Sequence, residues 1–244
     1  MHLVFFTGGL FVKKSIGILG GMGPLATADL FTKIVNMTKA DCDNAHIRIY
    51  IDSNSSIPDR TKAILQNGNS PIPNMTDSLK KLELCGADCI IMPCNTAHYF
   101  LPELQKQTSI PFISMLEATA LSCKEKFPGK TAAILATKGT LLSGLYSDVL
   151  EKHDVSYIIP NDDEKDALMR VIYDGIKANA EPEKYKADLF NVVNQMTKRG
   201  ADYFILGCTE LPLAAQLTNL DVPTIDPTSE LAKAAIKYCG YDIK

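Results

Sequence analysis

Two short stretches place a cysteine where it can react. In IIMPCNTAH, residues 90–98, Cys94 closes an apolar run and is followed by Asn95 and Thr96, residues of the kind that open a helix. In FILGCTELP, residues 204–212, Cys208 closes a second apolar run ahead of Thr209 and Glu210. A free thiol has a pKa of about 8.5, and a helix N-terminus lowers it into the working range for proton transfer. A thiol-redox role fits less well, because the two are far apart in sequence and no C-x-x-C occurs. The other cysteines, Cys42, Cys85, Cys89, Cys123 and Cys239, stand in ordinary packing contexts. Cys85, Cys89, Cys94 and His98 have the residue types of a zinc site, but they run from a helix end through a strand into the next helix and do not converge.

The elements that must position these thiols follow from periodicity. From Ser15 onward, β-rich runs alternate with helical patterns. The candidate strands are SIGIL, IRIYID, ADCIIMP and PFISM, then TAAILAT, SYIIP, ADYFILG and VPTID. Periods near 3.6 recur in LATADLFTKIVNMTKA, KDALMRVIYDGIKA and DLFNVVNQMTKR. Such alternation implies parallel sheets covered by helices. The chain also repeats itself. Gly86-Ala87-Asp88 leads to Cys94 at the spacing by which Gly200-Ala201-Asp202 leads to Cys208. IGILGGMGP at 16–24 is echoed by AAILATKGT at 132–140, and SIPFIS at 109–114 by DVPTID at 221–226. Three matches in one order predict an α/β protein of two pseudo-symmetric lobes, each a roughly four-stranded parallel sheet flanked by helices. Lobe 1 spans 15–116, with 226–244 packing on it, and lobe 2 spans 117–225.

Ligands of open α/β sheets gather beyond the carboxyl ends of the strands, where both cysteines fall. If the lobes face each other, the thiols meet across one cleft, which becomes the active site. One thiolate then removes a proton from one face of a carbon while the other thiol delivers a proton to the opposite face. That is the requirement of a two-base racemase.

GGMGPLAT, PCNTAH and GCTELP, in this order and spacing, resemble the aspartate/glutamate racemase family, and most closely its aspartate racemases. The resemblance runs from about Ser15 to the C-terminus. It implies an enzyme that needs no cofactor or metal, acts on an acidic amino acid through Cys94 and Cys208, resides in the cytoplasm and forms a homodimer. Glutamate racemases usually carry Asp-Ser-Gly on the first strand and a histidine after the second GCT; GGMGP and Glu210 stand in those places here. That departure points to aspartate. Glutamate, another amino acid and a maleate-like acid stay open as substrates of the same thiols. So does a non-catalytic amino-acid-binding protein, although binding alone has no use for two thiols.

The remaining candidates are weighed singly. Gly20 to Thr27, with Met22 and Gly23 at its centre, is either a tight βα turn or a direct substrate contact. Asn95, Thr96, Thr209 and Glu210 lie where an amino-acid carboxylate should sit, though capping alone would account for Asn95 and Thr209. A second carboxylate calls for a cation, and arginine offers bidentate geometry. Of four arginines only Arg60 sits in a polar loop directly after a strand end, and IPDR matches the family at that point. Lys177 reads on its own as a helix-surface lysine; the resemblance makes it a second basic position. Thr137 and Thr140 are the second lobe's counterpart of the glycine loop, for substrate or for structure.

Composition sets outer limits. The 244 residues, 46% hydrophobic and 22% charged with a net charge of −3, describe a globular chain with no basic block for nucleic acid or anionic membrane. Seven cysteines, an odd number at irregular spacing, suit a reducing compartment. Residues 1–14 are an apolar N-terminal extension without a basic leader region or cleavage site, too short to span a bilayer, and are assigned no function.

Overall fold

The computed structural model describes residues 13–244, so nearly all of the N-terminal extension lies outside the described residues. Two separate parallel sheets form. In the first, β1 (Ile16–Gly20) lies between β2 (Ile49–Ser53) and β3 (Cys89–Ile91). In the second, β4 (Ala132–Leu135) lies between β5 (Tyr157–Ile158) and β6 (Tyr203–Leu206), and β7 (Thr224–Ile225) extends the sheet beyond β6. The first three strands of each sheet share one order, with the earliest strand central, as the internal repeat requires.

Strands β1, β3, β4 and β6 are fully buried because both faces of each sheet are covered there, whereas the edge strand β2 is partly exposed. Around the first sheet lie α1 (Pro24–Met37), α2 (Arg60–Leu65), α3 (Ile72–Leu84) and α4 (Leu101–Gln105). Around the second lie α5 (Met115–Lys126), α6 (Lys138–Leu142), α7 (Leu145–Lys152), α8 (Asp162–Met169), α9 (Glu183–Lys198) and α10 (Leu211–Thr218). The last helix, α11 (Pro227–Tyr238), returns to the first sheet, where Leu231, Ala235 and Ile236 pack with Ile16, Ile18 and Leu30. Met75, Leu79 and Leu82 of α3 cover the opposite face. In the second lobe Leu189, Val192 and Met196 of α9 cover one face of the sheet, and Tyr146 and Leu150 of α7 the other.

The repeated Gly-Ala-Asp has one physical explanation in both lobes. Gly86 and Gly200 take positive φ, +83° and +98°, to end α3 and α9. Ala87 and Ala201 then donate back into those helices, to Leu82 and Met196. The Asp88 carboxylate accepts from the Ser15 amide at 2.7 Å, and that of Asp202 from the Thr131 amide at 2.8 Å. Each aspartate thus ties the strand leading to a cysteine to the start of the central strand.

Two expectations are adjusted. PFISM contributes a single parallel bridge, Phe112 to Ile90, so the first sheet has three full strands rather than four. Pro111 lacks an amide hydrogen and only its carbonyl joins the ladder, accepting from Ile90 at 2.9 Å. KDALMRVIYDGIKA is not one helix either: α8 stops at Met169 and a π-helical segment, Arg170–Ile176, follows.

Candidate active site

Cys94 and Cys208 line one small cleft between the lobes. Each follows the carboxyl end of its strand, β3 and β6, and each is almost wholly buried. Cys94 sits in a tight turn, its amide donating to Met92 O at 2.9 Å, before the 3-10 helix Thr96–Phe100. His98 holds this turn from behind. Its Nε2 accepts from the Met115 amide at 3.0 Å, so its Nδ1 carries the proton and donates to Cys94 O at 2.9 Å. Burial pushes the His98 imidazolium down to about 4, against the pull of the Cys94 and Asn95 backbone, and the ring is neutral. On the facing wall Gly207 precedes Cys208. A Cβ there would stand 3.0 Å from the Tyr146 ring and 3.1 Å from Leu135 O, so a side chain would have to push these neighbours back by a few tenths of an ångström.

The Cys208 thiol donates to Glu210 Oε2 at 2.9 Å, and Thr209 Oγ1 donates to the same oxygen at 3.1 Å. Lys177 Nζ lies 3.2 Å from the other oxygen, Oε1. Burial, and after it the Glu210 charge, push the Cys208 thiol well above its ordinary value. Burial alone would lower Lys177, but Glu210 and the two cysteine sulfurs more than offset it, so the ammonium is firmly held. The Glu210 side chain, committed to these partners, offers nothing to a substrate carboxylate.

Arg60 opens α2 and is buried in the cleft wall. Its Nη1 donates to Pro58 O at 2.9 Å and Ile57 O at 3.3 Å, and its Nη2 to Met22 O at 3.3 Å. Nε is buried without a partner. Burial disfavours the guanidinium charge, but the Cys94 sulfur and Asp59 reverse that effect and raise its pKa. The Nε edge is therefore a charged donor still to be satisfied.

Asn95 and Thr96 face the second lobe. Asn95 Oδ1 accepts from the buried Tyr146 hydroxyl at 2.6 Å, while its Nδ2 is buried without a partner. Thr96 Oγ1 lies 3.1 Å from Thr137 Oγ1 and 2.8 Å from Thr140 Oγ1. Thr137 also caps α6. Met22, Thr137 and Thr209 line the cleft. Thr140 stands behind it, and Gly23 borders a neighbouring groove instead. The glycine loop is a tight turn: Gly21, at φ +90°, passes so close to Asn54 that a Cβ would lie 2.3 Å from its backbone.

Four lining residues escape the sequence reading: Asp59, Thr61, Tyr173 and Gly207. Tyr173 donates to Asp59 Oδ2 at 3.0 Å, and burial lifts its phenol to about 12. Its spacing of four from Lys177 was the available signal. Of the residues with metal-ligand character, Cys85 is exposed while Cys89 contacts Cys239, sulfur to sulfur, at 3.8 Å. Among the described residues no group of three or more His, Cys, Asp or Glu side chains is arranged for a metal ion.

Residues 19–235 match the family model described as Asp/Glu/Hydantoin racemase. The chain belongs to this family. The structure of Picrophilus torridus aspartate racemase is similar, with a TM-score of 0.83 at 33% identity over 95% of this chain and 96% of that one. An aspartate racemase homologue from Pyrococcus horikoshii OT3 gives a TM-score of 0.73 at 26% identity, over 93% of this chain and 99% of that one. By sequence the chain is 29% identical to the broad specificity amino-acid racemase RacX of Bacillus subtilis strain 168, over 93% of this chain and 99% of the relative. The two parallel sheets with flanking helices match the fold of these racemase structures, and the chain is an amino-acid racemase of this family. Among its described residues no helix is long and apolar enough to cross a membrane.

Proposed function

We propose that this racemase interconverts L- and D-aspartate by a two-base mechanism in which Cys94 and Cys208 serve opposite faces of the α-carbon. The observation that carries the reading is the convergence of one thiol from each sheet on a single small cleft. Cys208, hydrogen-bonded to Glu210, holds its proton in the resting site, which leaves Cys94 to begin as the base. Abstraction at Cys94 and delivery from Cys208 invert the centre and leave Cys94 a thiol and Cys208 a thiolate. This form either turns over the opposite enantiomer or returns to the resting form by losing the Cys94 proton to solvent and regaining one at Cys208. The unpartnered Nε edge of Arg60 is suited to one substrate carboxylate. The opening turns after each cysteine, at Asn95–Thr96 and Thr209, offer amides for the other, since the first N–H groups of a helix lack intrahelical acceptors.

The reading needs no pyridoxal phosphate. The lysine that lines this cleft, Lys177, is held as an ammonium by Glu210, whereas a Schiff-base lysine must reach the neutral amine. The likeness to Picrophilus torridus aspartate racemase supports aspartate, and RacX supports a second reading in which other amino acids share the site. The test is loss of chirality in single-enantiomer aspartate after dialysis of the protein against chelator and carbonyl reagents. Cys94→Ser and Cys208→Ser should each abolish it. Activity restored only by pyridoxal phosphate or a divalent metal would sink the mechanism, as would full activity in either variant.

A further inference from the structure

Two buried cysteines that the proposed chemistry does not use touch each other. Cys89 opens β3 and Cys239 caps the end of α11, 150 residues further on, with their sulfurs 3.8 Å apart. Both are free thiols in the core between α11 and the first sheet. The pair lies at the amino end of β3, whereas Cys94 follows the carboxyl end of that strand, so it stands apart from the cleft. Its place in the topology gives it a use. The chain leaves the first sheet after α4, builds the second lobe and only then returns with α11 to complete the first. The end of that returning helix is held by packing and by backbone contacts such as Lys14 N–H to Cys239 O at 3.2 Å.

We propose that Cys89 and Cys239 are a redox couple, a dithiol in reducing surroundings that a hydroperoxide closes into a disulfide stapling α11 to the first sheet. The Cys89 S–H holds the Cys239 thiol below its ordinary value, while the same contact, and after it burial, push Cys89 up. Cys239 is therefore the sulfur that meets the oxidant. Its neighbours Lys237, Tyr238 and Gly240 are exposed, so the helix end that shields it is a surface element, and helix ends fray. The Cys239 thiolate attacks one peroxide oxygen, the O–O bond breaks, and the departing hydroxide takes up a proton to leave as water. The Cys89 sulfur gives up its proton, attacks the sulfenic sulfur of Cys239 and expels its hydroxyl as a second water. Two thiols and one peroxide thus give one disulfide and two waters. A disulfide needs sulfurs about 2.05 Å apart, so closure asks for less than about 2 Å of movement, the scale of side-chain rotation.

The experiment treats the full chain with hydrogen peroxide, removes the excess with catalase, and follows it by non-reducing tandem mass spectrometry and by thermal melts. Neither readout depends on racemisation, so the result stands apart from the function proposed above. The treated protein should carry a Cys89–Cys239 disulfide. Because that link closes a loop of 150 residues, the melting midpoint should rise by roughly 5 °C or more, and dithiothreitol should reverse both changes. Cys89→Ala and Cys239→Ala should gain nothing from peroxide. A Cys89–Cys239 pair that stays reduced while the exposed Cys42 and Cys85 are oxidised overturns the proposal, as does oxidation of either buried sulfur to a sulfinic acid without a link. A link that leaves the midpoint unmoved refutes the staple, and so does a gain that persists in either variant. Should a variant fail to fold, the unmodified protein before and after dithiothreitol still decides the matter.

Discussion

In the proposed mechanism the contact between Cys208 and Glu210 sets the chemistry of one face of the site. A thiol donating to a carboxylate in a buried setting keeps its proton, because ionisation would place two negative charges side by side. Lys177 on the far oxygen limits the cost of burying Glu210 without cancelling its effect on the sulfur. Replacing Glu210 with Gln removes the charge and keeps the shape, so the Cys208 pKa should fall. In the direction that uses Cys208 as base, the rising limb of the pH–rate profile moves to lower pH. In the direction that uses it as acid, the falling limb moves the same way. Profiles recorded from each enantiomer test this, and limbs that stay in place would remove Glu210 from the control of Cys208. The two cleft cysteines and Arg60 were legible because strand-end position and motif single them out. Asp59 and Thr61 were not, because nothing in their types distinguishes them from polar residues at a helix start, and Tyr173 left only its spacing from Lys177. Their role arises only when the second lobe's Tyr173 meets the first lobe's Asp59.

Elements succeed or fail as local signals predict, and the failures have causes. The strand–helix alternation and the Gly-Ala-Asp repeats carry their own geometry, a left-handed helix stop followed by a carboxylate clamp, and could be read directly. The PFISM strand shrank to one bridge because pairing depends on a neighbour as well as on propensity. His98 shows how an element is fixed by a residue whose type suggested something else. It bolts the turn holding Cys94 to the first residue of α5, and both ring nitrogens are used only while the ring is neutral. Its pKa of about 4 in the fold lies below the unfolded value of about 6.5, so the unfolded chain takes up the proton first as pH falls. Stability from this group is complete above pH of about 6.5 and is lost progressively down to about 4, by roughly 3 kcal/mol in all. Denaturant unfolding between pH 7.5 and 5 should therefore fall more steeply for the unmodified protein than for His98→Gln. Parallel slopes would mean that the ring is not held neutral.

At the scale of the whole molecule, the site exists only because the two lobes are pressed together. Away from the cleft α5 packs on α11, and at the cleft itself lie the Thr96, Thr137 and Thr140 hydroxyls, Tyr146 on Asn95, Tyr173 on Asp59, and α6 laid against α2 at Gly139. The last is the tightest. A Cβ on Gly139 would stand 2.7 Å from Thr61 Oγ1 and 3.0 Å from Thr61 Cα, and the second distance involves backbone that no rotamer change can relieve. Gly139→Ala should therefore hold the lobes slightly apart while leaving both thiols, Arg60 and Glu210 in place. In the proposed mechanism inversion requires both thiols to reach one carbon, so a displacement of about 1 Å should cost on the order of a hundredfold in racemisation. Removal and return of a proton on one face needs only one thiol. In deuterated water the variant should still exchange the α-proton with retention of configuration, and the ratio of exchange to racemisation should rise above that of the unmodified protein. NMR at the α-position, with chirality followed in the same samples, measures both rates. If exchange and racemisation decline together, Gly139 acts on the integrity of the fold, and the separation of the two bases does not govern turnover.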